Sequence, residues 1–448
     1  MKSFKERLHN SIPGGAHTYS RGDDQFPSNA PAILSSGKGA YVYDTDGEEY
    51  LDYGMGLRSV NIGYGNKEVA DAAYEEIIRG NNLTRASITE LKAAELLIKL
   101  IPSVEMVKFA KHGSTVTTAA IKLARAYTNR KYIAVPVEQP FFSFDDWFIS
   151  STELKKGTIK ETEQFTLKFK YNDISSLEKL YEKYPNQIAG IILEPATSLI
   201  PCNSGCQKSM NCKDCPNNKT NFLHQVRALT TKHNSVFILD EMITGFRWHL
   251  KGAQYFYNVD PDLCTFGKAM ANGFAVAALC GKTKIMSQGS IRNIGAERVF
   301  LTSTTHGAEM SSLGAFIKTI EILKRDNIIQ HVWDYGSNLI QEANSLSEKH
   351  GLTKNIIFNG LGCSPNYIVR DNKSNVSLSL RTLFLQEMMK EKIFIPYIAL
   401  SFSHGDSEME RTLLALDKSF GVIKKAIDGK LDDYLDSEVV KPVFRKYN

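Results

Sequence analysis

Apolar residues recur at intervals of three and four through Val69–Ile78 and again through Leu91–Leu100, which is the spacing of one buried face of an amphipathic helix. Elsewhere the pattern changes to short unbroken apolar runs. Ile188-Ala189-Gly190-Ile191-Ile192-Leu193 and Val236-Phe237-Ile238-Leu239 are each followed by a carboxylate, Glu194 and Asp240. Runs of this length without polar alternation fit strands buried on both faces, as in a parallel sheet. Helical and strand patterns that alternate along a chain build such a sheet with helices covering it, so the fold class expected is α/β. Ligands of open α/β sheets bind beyond the C-terminal strand ends, which makes Glu194 and Asp240 candidates by position alone. After about residue 310 longer helical patterns with short strands predict a second, C-terminal domain. The chain shows no internal repeat and no low-complexity tract.

Composition narrows the classes of function. The 448 residues are 42% hydrophobic and 23% charged, ordinary globular usage with enough length for a large core. No apolar run approaches the roughly 20 residues that span a bilayer, so a membrane role is not expected. The formal charge of +5 is spread without long Lys/Arg blocks, which argues against nucleic-acid binding and suits a small anionic ligand. Met1–Arg7 is charged and carries no secretory pattern, so the expected location is the cytosol.

The chemistry emerges when two segments are taken together. Val236–Met242 ends a strand in Asp240, and Leu263–Gly273 follows with Lys268 directly after Gly267. A lysine that must form an imine and a carboxylate that must hold a pyridine nitrogen protonated are the two groups required by pyridoxal 5′-phosphate (PLP). Taken singly, a lysine in a glycine-containing loop is more often a solvated surface residue, and a strand-end aspartate is often a cap. A third segment supplies an anion site: Gly113-Ser114-Thr115 precedes the helical pattern Ala119–Ala126, so backbone amides and hydroxyls would meet a phosphate at a helix N-terminus. Ordinary capping by Ser or Thr is the plainer reading of that segment. Thr302–Gly307, which includes Thr305, offers further hydroxyls that fit a solvated loop equally well.

At these residues the sequence resembles the class III (fold type I) PLP aminotransferases, and within them the glutamate-1-semialdehyde 2,1-aminomutase branch. The likeness begins at Ile12-Pro13-Gly14-Gly15 and Ser20-Arg21, runs through Gly39–Gly47 and Leu123–Thr128, and is most specific in Asp240-Glu241-Met242-Ile243-Thr244-Gly245-Phe246-Arg247 with Gly267-Lys268. It implies Lys268 as the Schiff-base lysine, Asp240 as the pyridine-nitrogen partner, and Gly113, Ser114 and Thr115 at the phosphate. Phe141 matches the aromatic stacked on the ring, and Glu194 and Met242 complete the cofactor-binding set. Thr305 matches a threonine that reaches the neighbouring subunit's cofactor phosphate, so the resemblance implies a homodimer with shared active sites. Arg21 matches an arginine that holds the substrate carboxylate; as a lone residue it reads equally well as a surface ion-pair partner.

The chain departs from the family pattern in several places. Phe141-Phe142-Ser143 stands where the family has aromatic-His-Gly, Thr115 replaces an acidic residue, and Ile395–Ser401 lacks the aminomutase's Phe-Glu-Ala-Gly run. A substrate other than the five-carbon semialdehyde is therefore expected. Four of the 7 cysteines, Cys202, Cys206, Cys212 and Cys215, fall in a segment without family counterpart. Their spacing can place four thiolates around one ion, and structural zinc is the expected occupant, with an iron–sulfur cluster or a loop of free thiols as the alternatives.

The resulting expectation is a fold type I PLP-transferase with a mostly parallel central sheet in a large domain and a smaller α+β domain formed by the N- and C-terminal parts. Residues 1–60 would contribute to the small domain and the active site, 61–310 would form the PLP-binding domain with a Cys-rich insertion at 201–216, and 311–448 would complete the small domain. The expected activity is amino transfer between an amino donor and an aldehyde or ketone acceptor. An aminomutase or other PLP isomerase is the alternative, and a non-catalytic relative is a third reading that Lys268 and Asp240 argue against.

Overall fold

The computed structural model describes residues 2–202 and 220–448. Among them the strands are, in chain order, β1 (Leu34–Lys38), β2 (Tyr41–Asp44), β3 (Glu49–Asp52), β4 (Met106–Ala110), β5 (Tyr132–Pro136), β6 (Thr166–Phe169), β7 (Ile188–Leu193), β8 (Val236–Asp240), β9 (Leu263–Phe266), β10 (Ala277–Gly281), β11 (Ile356–Leu361), β12 (Ser364–Val369) and β13 (Ile393–Phe394). The chain divides into two compact units. Lys67–Ile329, with Lys446–Asn448, forms one, and Met1–Asn66 with Gln330–Arg445 forms the other.

The Lys67–Ile329 unit is built on a seven-stranded sheet of order β4-β10-β9-β8-β7-β5-β6. Neighbours from β9 to β6 pair in parallel, and β10 runs against both β4 and β9. Every residue of β7 and of β8 is buried, which is why these strands carry unbroken apolar runs. The helix Gly113–Thr128 packs on the sheet through Val116, Ala119, Ala120, Leu123 and Ala124, the apolar face expected of a 3.6-residue period. The two amphipathic patterns near the start of this unit form the helices Lys67–Ile78 and Ile88–Leu100. Both pack against Met310–Arg325, so that helix belongs to this unit. The architecture is thus α/β with a mostly parallel sheet, as expected. No helix of the described residues is long and apolar enough to cross a membrane.

The other unit holds the sheet β1-β2-β3-β13, in which β13 joins β3 in parallel, and the antiparallel pair β11-β12. Its core contains a polar cluster. Tyr53 Oη lies 2.7 Å from both Tyr335 Oη and Thr412 Oγ1, and the Tyr53 ring sits 4.8 Å from the ring of His404. His404 is fully buried, and its Nδ1 accepts the Ser401 backbone N–H at 3.1 Å, which fixes the neutral imidazole. Burial pushes the His404 pKa down to about 4 from an ordinary 6.5. Because the folded value lies below the unfolded one, this contribution to stability is present above pH 6.5 and is lost as pH falls toward 4. The shift corresponds to about 3 kcal/mol. Urea unfolding at pH 7 and pH 4 should therefore show a smaller acid loss in His404→Gln than in the parent protein; equal losses in both would assign the acid sensitivity elsewhere.

Candidate active site

Parallel pairing of β8 and β9 sets Asp240 directly beside Thr265. Asp240 is only 3% exposed, and its Oδ1 accepts from the Met242 backbone N–H at 3.1 Å and from Thr265 Oγ1 at 3.0 Å. Burial raises the Asp240 pKa, while the positive charge of Lys268 and these two donors act against that rise. Lys268 opens the short turn Lys268–Ala271 that follows β9, and its φ of +44° lies in the left-handed region. A non-glycine residue in that region costs on the order of 1 kcal/mol and marks a position fixed by its surroundings.

Strand alternation sends Glu241 the opposite way from Asp240. Its buried carboxylate accepts from the backbone N–H groups of Ala253 (2.5 Å) and Gln254 (3.0 Å), from Gln254 Nε2 (3.0 Å) and from Thr244 Oγ1 (3.1 Å). One carboxylate of the Asp-Glu pair is thus available for chemistry, and the other anchors the turn behind it.

Met242 ties this corner to the glycine-rich helix start. A Cβ on Gly113 would stand 3.0 Å from Met242 Sδ, and one on Gly267 would stand 2.6 Å from the same atom. At both positions a side chain would have to displace the Met242 sulfur: one opens the helix Gly113–Thr128, the other precedes the lysine. The loop carrying Phe141 is fastened to that same helix. Ser114 Oγ accepts the Phe144 N–H at 3.1 Å, Thr117 Oγ1 donates to the Phe142 carbonyl at 2.8 Å, and Thr118 Oγ1 donates to Asp145 at 2.5 Å. Phe142 and Ser143, which stand where the family has His-Gly, are buried in this junction. Phe141 is 44% exposed and its ring stands at 86° to that of Phe148. Thr115 Oγ1 pairs with His112 Nδ1 at 2.8 Å.

Glu194 follows β7 as Asp240 ends β8, and the two strands pair Leu193 with Leu239, so both carboxylates mark adjoining C-terminal strand ends. The Gln139 side chain brackets Glu194: it accepts the Glu194 N–H at 2.8 Å and donates to its carbonyl at 2.9 Å. Thr305 lies in a polar cleft of about 270 Å³ lined by residues including Asn82, Arg85, Lys108 and Thr302, and Asn82 Nδ2 donates to the Thr305 carbonyl at 3.0 Å. Arg21 is exposed in the turn Tyr19–Arg21 of the other unit. Cys202 is buried, while Cys206, Cys212 and Cys215 lie outside the described residues. Among the described residues no group of three or more His, Cys, Asp or Glu side chains is placed to hold a metal.

These residues fit PLP. A buried carboxylate lies within the electrostatic influence of a lysine, and the two glycines pack closely against the Met242 sulfur beside it. Thr265 and Gln139 are not legible in the sequence because their partners are distant in the chain: strand register brings Thr265 to Asp240, and side-chain hydrogen bonds from a loop join Gln139 to Glu194.

Comparison with known proteins agrees with this geometry. Residues 22–388 match the class-III aminotransferase family. The chain is similar to the 3-aminobutyryl-CoA aminotransferase of Cloacimonas acidaminovorans, at 32% identity over 95% of this chain and 97% of that one. It is also similar to the glutamate-1-semialdehyde 2,1-aminomutase of Wigglesworthia glossinidia brevipalpis, at 29% identity over 93% and 96% of the two chains. In fold it resembles the PLP internal aldimine form of the FumI protein of Sphingopyxis sp. MTA144, with a TM-score of 0.82 and 22% identity over 98% of each chain. An omega-transaminase from Sphaerobacter thermophilus gives a TM-score of 0.79 at 23% identity, covering 93% of this chain and 96% of that one. The chain belongs to the class-III aminotransferases and is a PLP-dependent enzyme of amino-group transfer.

Proposed function

We propose that Lys268 carries the cofactor, that Asp240 pairs with its ring nitrogen, and that amino transfer takes place between an amino donor and a carbonyl acceptor other than glutamate semialdehyde. The single observation that carries this reading is the buried Asp240 carboxylate held at the strand end within reach of the Lys268 charge. When bound, PLP supplies an electron-withdrawing ring that stabilises negative charge on the substrate carbon. The protein's part is positional. Asp240 would hold a proton at the ring nitrogen, Lys268 would hold the cofactor and, once the substrate amine displaces it, its Nζ would carry the substrate proton, and Phe141 and Met242 would confine the ring. Gly113, Ser114 and Thr115 receive the phosphate at the helix N-terminus, and Glu194 closes the adjoining strand end.

The Lys67–Ile329 unit serves in this reading as the cofactor domain, and the unit formed by the two chain ends serves as the small domain with Arg21 as a substrate-carboxylate ligand. The family pattern supports a homodimer in which Thr305 reaches the partner's cofactor phosphate. Cysteine spacing is what supports a structural zinc at Cys202, Cys206, Cys212 and Cys215. The similarity to aminomutases supports isomerisation as the second reading, and the altered run at Ile395–Ser401 weighs against it.

Borohydride reduction of the holoenzyme should leave PLP attached at Lys268, and Lys268→Ala should abolish turnover; labelling at another lysine would refute the assignment. Asp240→Asn should retain the cofactor and lose most activity, by about 100-fold or more, because a neutral amide no longer holds the ring nitrogen protonated.

A half-reaction screen followed by cofactor absorbance should show net transfer from an amino acid to a carbonyl compound, with 3-aminobutyryl-CoA among the first substrates to try. Glutamate semialdehyde should be converted poorly, and its efficient conversion to 5-aminolevulinate would establish the isomerase reading instead. In the same screen Arg21→Ala should raise KM for the substrate far more than it weakens PLP binding; equal losses of both would give Arg21 a structural role.

A further inference from the structure

Thr265 touches the proposed catalytic carboxylate, and the family pattern above gives it no role. It is fully buried in β9 and stands opposite Asp240 in register. Its hydroxyl and the Met242 N–H both donate to Asp240 Oδ1, at 3.0 and 3.1 Å. Two donors on one oxygen restrain the plane of the carboxylate. The Thr265 carbonyl also accepts the Glu241 N–H at 2.9 Å, so one residue holds both the side chain of Asp240 and the backbone that follows it. Behind that backbone Glu241 is fastened by four donors, and the turn has no slack to follow Asp240 if its carboxylate rotates.

We propose that Thr265 is a positioning residue for the cofactor, its hydroxyl fixing Asp240 in the orientation that pairs with the ring nitrogen. The proposal rests on the reading of Asp240 given above. A hydrogen bond donated to an ionised carboxylate favours the ionised form, and at Asp240 it opposes the effect of burial. Without the hydroxyl, Oδ1 retains the Met242 N–H, the carboxylate becomes more basic, and the proton shared with the ring nitrogen moves toward Asp240. A cofactor held there would be less electron-withdrawing, and the Lys268 nitrogen would be more basic. The ionisable groups on adjoining elements include Lys268, Glu241, Glu194 after β7, Asp262 and Cys264 at β9 and Cys280 on β10, and substitution at Thr265 leaves all of them in place.

Thr265→Val keeps the β-branched shape suited to a strand and removes the donor, while Thr265→Ser keeps the donor. The holoenzyme forms of both, with Asp240→Asn as reference, can be compared by the pH midpoint of the bound cofactor's absorbance change, the PLP dissociation constant, kcat and KM. Thr265→Val should raise the midpoint by about one pH unit and lower kcat about tenfold, with KM for the amino donor changed less than about twofold. Thr265→Ser should restore both midpoint and kcat. Thr265→Ala is the second donor-free variant and is judged the same way should the valine variant not fold. An unmoved midpoint in the donor-free variants, or a loss that serine does not restore, overturns the proposal. If Asp240→Asn itself leaves the midpoint unmoved, the reading of Asp240 fails; if Asp240→Asn moves it and the donor-free variants do not, the role of Thr265 alone fails.

Discussion

Asp240 sits 3% exposed at the C-terminal end of β8, and a carboxylate withdrawn from water to that degree stays ionised only where the protein replaces the lost hydration with charge and hydrogen-bond donors. Here the replacements are the Lys268 charge, the Met242 N–H and the Thr265 hydroxyl. Each depends on a different part of the fold. Thr265 requires the parallel register of β8 with β9, Met242 requires the turn that Glu241 anchors, and Lys268 requires a left-handed backbone after a glycine. Much of the architecture around the sheet's edge can be understood as what holds these three in place.

The same economy extends to the phosphate side. Met242 is both a donor to Asp240 through its backbone and a wedge between Gly113 and Gly267 through its sulfur. The departures at Phe142, Ser143 and Thr115 do not open the site. They are absorbed into contacts along the helix Gly113–Thr128, where Thr117 holds the Phe142 carbonyl, Thr118 meets Ser143 and His112 meets Thr115. The loop that carries Phe141 is thereby fixed to the start of the helix Gly113–Thr128, and in the proposed reading one element would couple ring and phosphate recognition.

Periodicity revealed the buried strands β7 and β8 and the helices Lys67–Ile78, Ile88–Leu100 and Gly113–Thr128, because both-face burial and one-face burial leave different apolar patterns in the chain. Asp240 and Lys268 stand out in the sequence for a second reason, since the proposed cofactor chemistry calls for both residue types. Thr265 and Gln139 do not, because a threonine in a strand and a glutamine in a loop acquire meaning only from register and from a partner 25 or 55 positions away. The placement of Met310–Arg325 in the sheet-bearing unit was equally hidden: its amphipathic pattern announces a buried face, and only the structure shows that Lys67–Ile78 and Ile88–Leu100 cover it.

The central claim is that a buried anionic Asp240 keeps a proton on the cofactor's ring nitrogen. Loading the protein with PLP carrying 15N at the pyridine position and recording its nitrogen chemical shift at neutral pH tests this directly. A shift characteristic of a protonated pyridinium in the parent protein, moving to that of a neutral pyridine in Asp240→Asn, is the predicted result. A neutral pyridine shift in the parent protein, with full activity retained, would contradict the account.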